Sequence, residues 1–143
     1  MVKSHVEMVR AFTAAFNAHD VEALVACCHP DVEFHSTFAA VGGAVYHGQD
    51  GMRSWHRDLE EAWENEIRSE LEAFFDLGDG RLLTFGVLYG RGKQSGAEAT
   101  MPIAAVTRLR DGLLVYYKAY IDRENALREL GVSSEDELKP ITP

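Results

Sequence analysis

Pro30-Asp31-Val32-Glu33-Phe34-His35-Ser36-Thr37-Phe38 is the stretch on which the fold turns. Val32, Phe34, Ser36 and Phe38 fall on one side, and Asp31, Glu33, His35 and Thr37 on the other. That is the two-residue period of a strand with unlike faces. Pro30 stops any helix arriving from the N-terminal side. Such a helix is expected: Asp20 is a plausible N-cap for a short segment through Val21, Leu24, Val25 and Cys28. Farther back, residues 4–18 carry Val6, Val9, Phe12 or Thr13, and Phe16 at helical spacing, and Asn17-Ala18-His19-Asp20 breaks the pattern.

Working forward, the segment from Gly42-Gly43 to Gly48 reads as a turn and short strand. Asp50 is expected to cap a third helix running to about Ile67. Its apolar stripe is Met52, His56, Leu59 and Trp63, flanked by Trp55 and Ala62. Asp58, Glu60, Glu61, Glu64 and Glu66 give it a solvated acidic face. Strands follow over 69–77, 81–90, 97–110 and 113–121, divided by Gly78-Asp79-Gly80, the loop Gly90 to Gly96, and the hairpin signal Arg110-Asp111-Gly112. Asp122 to Leu130 reads as a last helix stopped by Gly131. Residues 1–131 are expected to form one domain, and 132–143 a loosely held acidic tail. Helices first and antiparallel strands afterwards mean α+β: a curved sheet wrapped around the N-terminal helices, with a hollow between.

Composition removes several functions. A chain of 143 residues can bury a core without disulfides or a structural metal. Fourteen Lys and Arg against 23 Asp and Glu give −9, which argues against a nucleic-acid or anionic-membrane partner. No apolar run is long enough to span a bilayer, and no signal core opens the chain, so a cytoplasmic setting is the expectation. Cys27 and Cys28 are adjacent, which suits neither a metal pair nor an ordinary disulfide. Asp31, Glu33 and His35 have ligand chemistry, but same-face residues of a strand rarely converge on a metal. The glycine loop joins strands instead of opening a helix, so a phosphate cradle is not expected. Neither metal nor cofactor is expected.

A set of local motifs adds a family likeness. These are Phe16-Asn17-Ala18-His19-Asp20, Pro30-Asp31-Val32-Glu33-Phe34, Tyr46-His47-Gly48, Gly90-Arg91-Gly92-Lys93-Gln94-Ser95-Gly96, Arg108-Leu109-Arg110-Asp111-Gly112, and Tyr120-Ile121-Asp122-Arg123 before Ala126-Leu127. In their order and spacing the chain resembles the SnoaL-like branch of the superfamily named after nuclear transport factor 2. The resemblance covers about residues 5–131. It implies a cone-shaped, cystatin-like α+β barrel with a pocket at its open end, and a homodimer through the convex sheet face. It does not imply one activity, because the superfamily holds isomerases, epoxide hydrolases, cyclases, dehydratases and binding modules.

Carrying the superfamily's catalytic sets over leaves them vacant. In the ketosteroid isomerase pattern the base falls at Ser36, the tyrosine at Phe12, and the second acid within Ile103-Ala104-Ala105. A serine without a neighbouring base cannot abstract a carbon-bound proton. In the limonene epoxide hydrolase pattern, Arg-x-Asp falls near Gly86 and Leu88, the last acid at Ala119, and the water-positioning pair at Phe34 and Ser36. For a SnoaL-type cyclase only Asp122 is a carboxylate near the end of the last strand, and its position suits a helix cap better.

Two polar residues remain as catalytic candidates. His56 interrupts the apolar stripe of the third helix, and an imidazole can orient a ligand or move a proton near neutral pH. Tyr117 shares parity with Ala119 and should point inward. Phe12, Phe16, Phe34, Ser36, Met52, Leu59, Trp63, Leu88, Met101, Ile103 and Ala119 are expected to wall the hollow. They suit a small apolar or aromatic molecule as partner. Two readings stay open: a pocket protein for such a metabolite, with or without catalysis, or a non-catalytic homodimeric module.

Overall fold

The computed structural model describes residues 2–36, 44–63, 67–92 and 96–141. Helix α1 (Val2–Asn17) buries its stripe of Val6, Val9, Phe12 and Phe16. Its last residue fixes its direction. The Asn17 amide donates to the Ser69 carbonyl at 2.9 Å and accepts from the Ser69 N–H at 2.8 Å, taking the place of a neighbouring strand. Asp20 caps α2 (Val21–Ala26) by accepting from the Ala23 N–H at 3.1 Å.

Strand β1 (Cys28–Ser36) buries Val32, Phe34 and Ser36 and turns Asp31, Glu33 and His35 away, as its alternation predicts. Thr37, Phe38 and the Gly42-Gly43 turn lie outside the described residues. Strand β2 (Ala44–His47) pairs antiparallel with β1 and leads into α3 (Gly48–Ala62). Asp50 does not cap α3. His47 holds the cap position, and Asp50 sits in the first turn, paired with Arg53 at 2.8 Å. Tyr46 donates to Asp58 at 2.7 Å and ties β2 to the helix.

Helix α3 also ends earlier than its sequence pattern suggests. Trp63 is extended, with φ −125° and ψ 152°, and bridges Gly92. Its ring lies on the sheet at Gly90, where a Cβ would come within 2.9 Å of it. Packing the indole on bare backbone outweighs one more helical turn. Glu64 and Glu66 lie outside the described residues.

Strands β3 (Arg68–Asp76), β4 (Arg81–Arg91), β5 (Glu98–Arg110) and β6 (Leu113–Tyr120) complete a sheet of order β2-β1-β6-β5-β4-β3-β7. All pairings are antiparallel except β1 with β6. Bulges between Cys28 and Glu33, Leu71 and Ala73, and Arg108 and Leu109 curve the sheet. The second bulge requires Gly86, since a Cβ there would meet the Glu70 carbonyl at 2.7 Å.

The concave face packs against α1 and α3. The convex face has a core of its own. Phe75, Leu83, Phe85, Ala104, Val106 and Tyr120 lie beneath Ala126 of α4 (Arg123–Glu129), joined by Leu127 and Leu130. Asp122 caps that helix, accepting from the Glu124 N–H at 2.9 Å. Arg123 fastens α4 to the sheet. It donates to the Gly86 carbonyl at 2.6 Å and the Ile103 carbonyl at 3.3 Å, and covers the Phe85 ring.

The tail is more ordered than its composition suggests. Ser134 and Glu137 form a capping box, and β7 (Lys139–Ile141) pairs with Phe74 to Asp76. It covers the edge that β3 would otherwise leave open. Among the described residues no helix is long and apolar enough to cross a membrane.

One buried polar contact joins α1 to the sheet floor: His5 Nε2 lies 2.8 Å from Thr107 Oγ1. Burial, then the nearby N-terminus, lowers the His5 pKa from 6.5 to about 4. The fold therefore favours neutral His5. Its contribution is complete above pH 6.5 and is lost as pH falls towards 4, where the unfolded chain takes up a proton that the native state refuses. The loss should approach about 3 kcal/mol at most. Urea unfolding between pH 4 and 7 should show this decline in wild type and a flatter profile in His5→Gln.

Candidate functional site

Phe34 sits at the centre of the hollow. Its ring centroid is 4.5 Å from that of Trp55 and 4.6 Å from that of Tyr117. Phe12 lies 5.2 Å from Tyr117, and Phe16 lies 5.9 Å from Trp55. Five rings from α1, β1, α3 and β6 thus form one cluster between helices and sheet. The Trp55 indole N–H donates to Ser36 Oγ at 3.0 Å, with both residues buried. Ser36, which stands where an isomerase base would stand, is the acceptor that lets an indole be buried there.

A cavity of about 40 Å³ remains among these rings. Phe12, Phe16, Phe34, Leu59, Leu88, Ile103, Tyr117 and Ala119 line it. Thr13, Trp55, Ile67 and Ser69 line it as well. Trp55 was legible: Met52, Trp55 and Leu59 have the three-then-four spacing of an inward stripe, and all three are buried. Ile67 and Ser69 carry no such signal, because the bend after α3 brings them in. Met52 and Ser36 are buried in the wall without lining the cavity, and Met101 packs half-buried against the same core.

His56 and Trp63 are placed differently from their stripe. His56 is buried, but it faces a crevice beside the cone, bounded by Phe16, His19, Leu59, Glu60, Trp63 and Ile67. Its Nδ1 lies 2.8 Å from Glu60 Oε1. Trp55 takes the centre of the inward face, and a residue one step on is turned by about 100°. Trp63 stands at the mouth against Gly90. There a polar basin of about 520 Å³ opens between Asn17, His19, Arg68, Arg91 and Glu98, sharing only the wall residue Ile67 with the cavity.

Among the described residues the cavity wall carries no carboxylate and no imidazole. Tyr117 is its one titratable group among the described residues. Burial, and secondarily Cys28, pushes its hydroxyl up to about 12, so at neutral pH it stays protonated and can donate a hydrogen bond. Cys28 is itself pushed up to about 12 by burial, and its Sγ donates to the Leu24 carbonyl, so it is no nucleophile. On the outer face His35 contacts Glu33 at 2.5 Å, while Asp31 turns towards His29 and Arg110. Among the described residues no three metal-ligating side chains gather. In the glycine loop, Arg91 pairs with Glu98, and Lys93 to Ser95 lie outside the described residues.

The family model for the SnoaL-like domain matches residues 9–117. The chain belongs to the SnoaL-like family. Solved structures agree on the fold. An NTF2-like protein of unknown function from Burkholderia pseudomallei is 23% identical, with a TM-score of 0.73 over 87% of this chain and 95% of that one. A hypothetical protein with a ketosteroid isomerase-like fold from Catenulispora acidiphila, in complex with trimethylamine, is 20% identical. Its TM-score is 0.72 over 96% and 98% of the two chains. A putative polyketide cyclase from Xanthomonas campestris is 17% identical, with a TM-score of 0.72 over 90% and 97%. No curated protein sequence matches. This SnoaL-like chain therefore shares the barrel of its neighbours, and its chemistry must come from its own side chains.

Ser36→Ala leaves the buried Trp55 N–H without the Ser36 acceptor. It should cost about 1–3 kcal/mol in urea unfolding, and a shifted tryptophan emission spectrum should accompany it.

Proposed function

We propose that this chain binds a small uncharged apolar or aromatic molecule in the cone, as a binding protein and not an acid–base enzyme. The observation that carries this reading is the cavity among Phe12, Phe34, Trp55 and Tyr117, which is ring-lined and, among the described residues, bordered by no carboxylate or imidazole. Apolar walls with a single donor are the usual makeup of a small-molecule site.

The volume limits the ligand. About 40 Å³ corresponds to roughly three waters, or an organic fragment of a few non-hydrogen atoms. A steroid or terpenoid cannot lie wholly inside. A short apolar end can fill the cavity while the rest of the molecule lies past Ile67 in the mouth basin. The Catenulispora neighbour's trimethylamine has the bulk of such an end. The uncharged wall favours a neutral fragment here, because a buried cation without a carboxylate keeps its full desolvation cost.

Toluene should raise the Tm and alter tryptophan emission, and trimethylammonium at the same concentration should do so far less. Ala119→Val extends a side chain into the cavity and should abolish the toluene response with an unchanged circular dichroism spectrum. A wild-type protein that responds to neither toluene nor any comparable small apolar molecule would refute the proposal.

A further inference from the structure

We infer that Ile67 decides how long a molecule the cone accepts, because its side chain is the partition between the ring-lined cavity and the polar basin at the mouth. This rests on the cone taking up a small apolar molecule at all.

The two spaces meet at one side chain. Phe12, Phe34, Trp55 and Tyr117 border the inner space, and Asn17, Tyr89 and Thr100 are among the polar residues of the outer one. Among the described residues Ile67 alone lines both. It is 3% exposed, so it fills the place between them and does not project into solvent. The inner space holds about 40 Å³ and the outer about 520 Å³. A molecule too long for the first must therefore pass where Ile67 stands to reach the second.

The surroundings hold Ile67 in that place. Its Cγ1 rests against the bare backbone of Gly90, where a Cβ would come within 3.3 Å of it. The Trp63 ring is seated on the same glycine, 2.9 Å from that Cβ position. Two residues farther on, the Asn17 amide grips the Ser69 backbone through its N–H at 2.8 Å and its carbonyl at 2.9 Å. Isoleucine is branched at Cβ and has few χ1 choices. A stiff side chain on a pinned backbone loses packing when it is pushed aside. The part of a ligand that pushes past it then gains little from leaving water.

Ile103 supplies the contrast. It lines the cavity but not the basin. Truncating it to alanine removes the same atoms as truncating Ile67, yet opens no route to the mouth.

The test compares toluene with 6-phenylhexanol by titration of the full chain, followed by tryptophan emission. Wild type should bind 6-phenylhexanol no more tightly than toluene. Ile67→Ala should bind it at least about 10-fold more tightly than toluene, since each methylene taken out of water adds about 4-fold in affinity. Ile103→Ala should keep the wild-type order. If Ile67→Ala does not fold, the shorter side chain of Ile67→Val should move the ratio the same way by a smaller amount. A clear wild-type preference for 6-phenylhexanol, an unchanged ratio in the Ile67 variant, or an equal shift in Ile103→Ala overturns the assignment and leaves the binding proposal standing. If wild type binds neither probe, both fall together.

Discussion

The Trp55 indole is the contact on which the interior depends. It reaches from α3 to the sheet, donates its N–H to Ser36, and presses its ring on Phe34. A buried indole must find an acceptor, and a buried hydroxyl must find a partner, so each makes the other tolerable. Together they hold the helix at the distance where Phe12, Phe16 and Tyr117 close around Phe34. A wider cone would leave those rings without neighbours. A narrower one would remove the cavity.

The same contact accounts for the chemistry the interior lacks. Related isomerase chemistry needs a carboxylate where Ser36 stands, and here that position is committed to packing. The charge of the chain is carried by the outer surface of α3, the sheet's convex face and the C-terminal segment, where many charged side chains meet opposite partners. The hollow stays neutral, and Tyr117 is kept protonated by the burial that surrounds it.

The convex face shows a second use of the sheet. Helix α4 seals its own cluster there, and Arg123 reaches the Gly86 carbonyl of β4 and the Ile103 carbonyl of β5. The sheet therefore has a core on both sides over part of its area. Gly86 and Gly90 serve the two faces differently: one permits the bulge, the other seats Trp63 at the mouth.

The sequence alone determined most of the elements up to α4, because those report themselves through a local period or cap. Val32, Phe34 and Ser36 had to face inward together, Asp20 and Asp122 had to cap, and the turn at Asp111-Gly112 had to reverse the chain. Periodicity could not decide between neighbours on one helix: His56 and Trp55 both fit an apolar stripe, and only the position of the sheet chose Trp55 for the centre. Nor could it place Ile67 and Ser69, which arrive through a bend, or pair the tail with β3 across more than sixty residues of chain. Faces are local properties of the backbone, whereas the size of the cavity and the company of His56 are set by how far apart packed layers come to rest. Only tertiary structure fixes that distance, because it is the sum of every side chain between them.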